Sequence, residues 1–460
     1  MTGTFDEPQK HPAPKRQSMV FRGYPFVFAA ALLLVGGCSA PGFFSSDEEE
    51  VLEGERVSVL ELTQELSPDP DVASRAITLP AIQDQPDWPQ LGANPRHLPG
   101  HRALGSSLSR VWTSSIGAGS NRNRRLVNPP IVADGRVIAM DAAGVVAAHD
   151  AESGNQLWRV RAADPEEDSV PLGGGVAFAE GVVFVSTGFG EIVALDADNG
   201  GLVWRAEANG PLRAPPTLAG GRLFVTTVDN QLEARNAENG ELQWTHTGIV
   251  EPAGLLGGSN PAVDDSTVIV AYSSGELFAL RLQNGRPLWS DSLAAIRRVG
   301  ALTNLADIRG APLLEDGRVV AISQSGRMVA LDLRTGERIW EQSVGGTQTP
   351  VSIGEFIYVL TNTNQLVALA ADNGLIAWVT ALPSWSNPAK RRGPIVYAGP
   401  VLAGERLSIV SSEGEVIQFD AVSGEEMARL PLPSGSTIPP VVAGRTLYVL
   451  SDNATLTAFR

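Results

Sequence analysis

A single cysteine, Cys38, in a chain of 460 residues excludes an intrachain disulfide and any metal site built from several cysteines. Basic residues are outnumbered, 35 Lys and Arg against 51 Asp and Glu, and the formal charge of −16 argues against a nucleic-acid surface, which needs clustered cations. Much of that acidity is local, in "SDEEEVLEGE" and "SPDPD", so charge says little about the rest of the chain. No apolar run spans a bilayer comfortably: the best, from Phe26 to Val35, is shorter than the ~20 residues a spanning helix needs. Neither a Gly-rich phosphate loop nor a nucleophile motif is present. The five His residues form no metal set, because Leu-Pro-Gly between His97 and His101 breaks the helix an i,i+4 pair requires. No catalytic constellation and no cofactor are therefore expected.

The cysteine is informative by its place. "MVFRGYPFVFAAALLLVGGCSA" has a basic residue, Arg22, a short apolar run and Gly36-Gly37 directly before Cys38, the order of a secretory signal. The junction resembles the bacterial lipobox, which implies cleavage before Cys38 and an acyl anchor on its sulfur; a plain signal with an incidental Cys is the alternative. Residues 1–18 are a long polar leader, so translation from Met19 is expected to give a compact signal. Ser39 and Ala40 follow, without the Asp that retains such lipoproteins at the inner membrane, which implies the periplasmic side of the outer membrane. Residues 38–108 then read as the lipidated Cys and an acidic, Pro-rich tether, with one short helix near "RVSVLELTQEL"; a small ordered cap is the alternative.

From residue 109 the chain repeats. "AHDAESGNQLW", "ALDADNGGLVW", "ARNAENGELQW", "ALRLQNGRPLW", "ALDLRTGERIW" and "ALAADNGLIAW" keep an Ala, a Gly six places on and a Trp four beyond it. Each unit of about 45 residues supplies four short strands separated by Gly-containing turns, the size of a propeller blade. The turn glycines Gly154, Gly200, Gly240, Gly285, Gly336, Gly374 and Gly424 mark seven units, and the last segment carries only three strands. "SRVWTSSI" ahead of the first unit is an orphan outer strand. Pairing it with the last segment predicts an all-β, eight-bladed propeller over residues 109–460, closed by its own N-terminal strand. Trp112, Trp158, Trp204, Trp244, Trp289, Trp340 and Trp378 are expected to dock on neighbouring turns, with the small Ala making room for a ring from a neighbouring unit. In "QFDAVSGEEMARL" both Ala and Trp are lost, and Leu430 or Met427 is expected to substitute.

These frames resemble the tryptophan-docking repeats of quinoprotein propellers. Two families share them: dehydrogenases that hold pyrroloquinoline quinone with calcium, and the BamB family of non-catalytic lipoproteins of the outer-membrane β-barrel assembly machine. The lipobox is a second match to the BamB family. A calcium-bound quinone needs converging oxygen ligands, a base and, in many of these enzymes, a vicinal disulfide, which one Cys cannot form. Asp196 and Asp198 in "LDADNG" read as turn residues, since other copies replace them. A quinoprotein dehydrogenase and another envelope scaffold remain the alternatives.

Two connections break the repeat: "VEPAGLLGGSNP", and "AAIRRVGALTNLADIRGAP" with Arg297, Arg298 and Leu305. The resemblance implies that loops of this kind contact a periplasmic domain of BamA, through a Leu-containing turn and an acidic pair on the next loop. Leu255 matches the first and Asp307 the second, while Leu256 falls where the pattern has Arg and Arg309 where it has an acid. Leu255, Leu256, Asp307, Ile308 and Arg309 are thus the expected partner surface. Unfolded outer-membrane chains, pairing with outer strands by β-augmentation, are a further expected partner class.

Overall fold

The computed structural model describes residues 66–163, 173–294 and 306–460. Cys38, the signal segment, the start at Met19, most of "RVSVLELTQEL", Arg297, Arg298 and Leu305 lie outside the described residues.

Among the described residues eight four-stranded antiparallel sheets follow one another as blades, spanning 131–161, 174–207, 217–247, 262–292, 313–342, 351–381, 397–431 and 441–459. The last holds only three strands of its own, and Arg110–Ser115 supplies the fourth, pairing antiparallel with Thr455–Phe459. Closure therefore runs as the orphan strand requires. The two ends of the propeller are stitched by Ser109 N–H to the Arg460 carbonyl at 2.8 Å and Arg460 N–H to the Ser109 carbonyl at 2.9 Å. Middle strands such as Val182–Thr187 are buried on both faces because a blade packs on each side, whereas the outer strand Leu202–Glu207 is half exposed. This is why middle strands read as continuous apolar runs and outer strands alternate.

The repeated frame is a row across each blade. Ala194 pairs with Trp204 on one side and Phe184 on the other, and the two rings meet at 6.0 Å. The Ala clears space for the Trp of its own blade, not for a neighbour's ring as expected. That Trp then reaches forward: Trp158 of the first blade lies over Gly200 in the second, and its indole N–H donates to the Ala197 carbonyl at 2.8 Å. Gly200 has φ +74°, and a Cβ there would sit 2.9 Å from the indole, so both backbone and ring require glycine. The same approach links Trp112, Trp204, Trp244, Trp289, Trp340 and Trp378 to the glycine turn of the following blade.

This direction explains the missing seventh Trp. Its target would be the turn between the third and fourth strands of the eighth blade, but those strands, Thr455–Phe459 and Arg110–Ser115, come from opposite ends of the propeller and no turn joins them. The position is Ala428, opposite Gln418. Neither expected substitute takes it: Met427 is 56% exposed, and Leu430 packs on the core of the closing blade. A polar row replaces the apolar one, with Gln418 donating to the Ser408 hydroxyl at 3.1 Å and Arg406 donating to the Gln418 amide oxygen at 3.1 Å and the Ser106 carbonyl at 2.8 Å.

Residues 66–108 are not a free tether. A one-turn helix, Pro70–Ala73, capped by Asp69, starts on the sixth blade, where Asp69 N–H donates to the Ile376 carbonyl at 2.8 Å. Residues 85–97 then circle the axis at the end where the first hairpin turn of each blade lies. Gln85 accepts from Gly444, Trp88 pairs both ways with Val132, and Pro89, Pro95 and Arg96 accept from Phe178, Val263 and Leu314. The Gln90 amide brackets Leu218 through 2.9 and 3.3 Å bonds. The strap returns across the axis to the seventh blade, with the Arg102 guanidinium 5.2 Å over the Trp88 ring.

His97 is 1% exposed, its Nδ1 2.7 Å from the Pro312 carbonyl, and burial pushes its pKa down to about 4. The unfolded imidazole gains a proton near pH 6.5 that the folded one refuses until about pH 4. Stability is thus complete above the upper value and is lost as pH falls through this window, by about 3 kcal/mol. Urea midpoints of the wild type and His97→Gln should diverge at neutral pH and converge toward pH 4; parallel pH profiles would contradict the assignment.

Candidate functional site

With the strap at one end of the axis, the blade-to-blade connections gather at the other. They ring a funnel of about 910 Å³ lined by Leu255, Leu256, Arg309, Trp385, Tyr397 and Arg125, among others. Burial pushes the Tyr397 phenol up, and its hydroxyl donates to the Pro383 carbonyl at 2.9 Å.

One buried guanidinium organises the rim between the third and fourth blades. Arg213 donates to the Asp307 carboxylate at 3.1 Å, to Asn230 Oδ1 at 3.3 Å and to the carbonyls of Gly257 and Leu255 at 3.2 and 3.4 Å. Asp307 Oδ2 also accepts the Leu255 N–H at 2.8 Å, and Asn230 Nδ2 donates to the Ile249 carbonyl at 2.6 Å. The ion pair is almost fully buried, 7% and 1% exposed on its two sides. Removing one partner of such a pair is strongly destabilising, so the network acts as a rigid brace for residues 249–257.

The brace presents apolar side chains to water. Ile249 is 60% exposed, Val250 57% and Leu256 50%, on one short connection. Exposed apolar groups clustered on a rigid loop suit an interface core. The five residues expected at the partner surface are brought together, but not all face outward. Leu256 is exposed, Leu255 is half-buried, and Arg309 keeps a solvent-facing edge while donating to the Leu256 carbonyl at 2.8 Å and the Thr347 carbonyl at 3.3 Å. Desolvation lowers the Arg309 pKa, opposed by the Asp307 carboxylate. Asp307 and Ile308 are 1% exposed: the first is consumed by Arg213, and the second packs in the core between the fourth and fifth blades. They shape the surface instead of forming it.

Ile249 and Val250 were not among the expected residues. Their signal is a pair of large β-branched residues just beyond the outer strand Leu242–Thr247, where other units carry smaller residues or Pro, as at Asn209-Gly210, Gly345-Gly346 and Pro383-Ser384. Trp385 was also missed. It sits in a separate two-stranded hairpin, Trp385–Asn387 with Arg392–Pro394, between the sixth and seventh blades.

These features define a tryptophan-docked eight-bladed propeller of the quinoprotein type, with a strapped axis and a loop-ringed funnel. The chain belongs to the BamB family: the model of that family, described as outer membrane protein assembly factor BamB, matches residues 109–168, 142–380 and 383–460. It is similar to the outer membrane protein assembly factor BamB of Yersinia pestis, 27% identical over 361 residues, covering 77% of this chain and 89% of that one. The Escherichia coli K12 protein of the same name is 26% identical over 353 residues, covering 75% and 87%. Among solved structures, BamB from Moraxella catarrhalis superposes with a TM-score of 0.65 at 21% identity, covering 77% of this chain and all (100%) of that one. A europium-containing methanol dehydrogenase reaches a TM-score of 0.64 at 14% identity, covering 81% and 98%, a likeness of fold.

The chain is thus a BamB-type assembly factor, and the dehydrogenase alternative is not favoured. Among the described residues no three His, Cys, Asp or Glu side chains gather as a metal site, and the single Cys cannot form a vicinal disulfide.

Proposed function

We propose that this propeller is a non-catalytic scaffold of the outer-membrane β-barrel assembly complex, held at the periplasmic face by an acylated Cys38, and that it docks the periplasmic domains of BamA on the loop face. The carrying observation is the braced apolar patch of Ile249, Val250 and Leu256. Leu255 and Arg309 form its rim, and Asp307 and Ile308 position it. Its action is to hold a partner in register without making or breaking bonds.

Tagged full-length chain purified from solubilised envelopes should bring BamA with it, and the mature N-terminal peptide should carry acyl mass on Cys38. Recovery without BamA would overturn the partner, and a free thiol at Cys38 would overturn the anchor. Dye reduction by the purified protein supplied with quinone and calcium would overturn the non-catalytic reading.

A further inference from the structure

The loop face is polarised. The apolar patch lies on the connection between the third and fourth blades. Across the axis, the connections on either side of the last junction carry six exposed cations: Arg122, Arg124 and Arg125 before the first blade, and Lys390, Arg391 and Arg392 on the hairpin between the sixth and seventh. In a chain of net charge −16 this concentration is unusual. Among the described residues none of the six is in an ion pair. Carboxylates also stand on neighbouring turns: Asp141, which lines a hollow with Arg125, is paired with Arg159 at 3.2 Å. Glu413 is exposed and pairs with none of the six, while Asp452 is occupied by the Thr437 hydroxyl at 2.8 Å.

Both basic prongs are built, not merely exposed. In the hairpin Trp385 pairs with Pro394 and Asn387 with Arg392, the Asn387 side chain accepts from Lys390 N–H at 3.1 Å, and Ile395 N–H donates to the Ser384 carbonyl at 3.0 Å. In the other loop the Asn121 side chain accepts from the N–H groups of Asn123 and Arg124 at 2.8 and 2.9 Å. A loop whose backbone is already ordered loses little backbone freedom on binding, and like charges carried close together seek a multivalent anion.

We infer that this basic half of the loop face is a second docking surface, which takes an acidic segment of a partner protein. The shape selects a protein chain. Arg125 and half-buried Trp385 line the concave funnel, which an extended segment can enter and a bilayer surface cannot. The inference uses the loop face of the proposed scaffold but assigns the opposite side of it a different chemistry, so each half can fail alone.

The test uses the full chain and a fluorescein-labelled oligoglutamate peptide, followed by anisotropy at low and moderate salt. The wild type should bind with an affinity that falls as salt rises. The triple variant Lys390→Glu, Arg391→Glu, Arg392→Glu should bind at least about tenfold more weakly, and Ile249→Asp, which lies outside the funnel lining, should bind as the wild type does. No peptide binding by the wild type, or equal binding by the triple variant, would overturn the inference. So would phosphatidylglycerol vesicles that sediment the wild type and are not displaced by the peptide. Loss of BamA from Ile249→Asp with peptide binding intact would leave both readings standing. Retention of BamA by that variant would count against the apolar patch alone.

Discussion

Replacing Trp158 by Ala is expected to cost about 3–5 kcal/mol of stability. The side chain is 7% exposed, so truncation loses a large buried apolar surface and opens a cavity between two blades. It also strips the Ala197 carbonyl of its indole donor at 2.8 Å. The void cannot collapse easily, because the wall opposite is Gly200, whose left-handed turn offers no side chain to fill it. Trp378 is an internal comparison. Its ring covers Gly424 in the same way, yet its indole N–H is buried with no partner among the described residues. Trp→Phe should therefore cost less at Trp378 than at Trp158, by about 1 kcal/mol, the net worth of a hydrogen bond. Denaturant midpoints at constant slope measure both. A loss below about 1 kcal/mol for Trp158→Ala would show that the rings do not lock blade to blade.

The architecture was legible because its physics repeats. The Ala and Trp of one frame and the Gly of the next serve one contact, so the spacing survives in six frames, and a strand missing at the end matched a strand left over at the start. The strap was not legible for the converse reason. Residues 85–97 give their hydrogen bonds one at a time to successive blades, and such a path has no period. Loops that break the repeat pointed to the loop face proposed for docking, but not to which side chains face outward. Asp307 reads as a surface acid until Arg213, 94 residues away in sequence, takes its carboxylate inward. At the seventh blade, Met427 and Leu430 were weighed as substitutes for a Trp that has no turn on which to dock.

The proposed docking rests on the braced patch, and the expected effect of removing it is large. Ile249 and Leu256, half or more exposed, are the anchors that a partner would bury. Two well-packed anchors are together worth about 4 kcal/mol, roughly a thousandfold in affinity. Asp at either place would also bury a charge with no partner. Neither side chain enters the brace: Ile249 contributes its carbonyl to Asn230 and its N–H to Glu276, and Leu256 its carbonyl to Arg309, so backbone geometry survives the substitutions. An Asp307→Arg change would set a second guanidinium against Arg213 inside the protein and confuse binding with unfolding. The decisive measurement is recovery of BamA by tagged Ile249→Asp, Leu256→Asp full-length protein from solubilised envelopes, with thermal unfolding recorded alongside. BamA should be lost while the unfolding midpoint stays at the wild-type value; undiminished recovery from a normally folded variant would contradict the account.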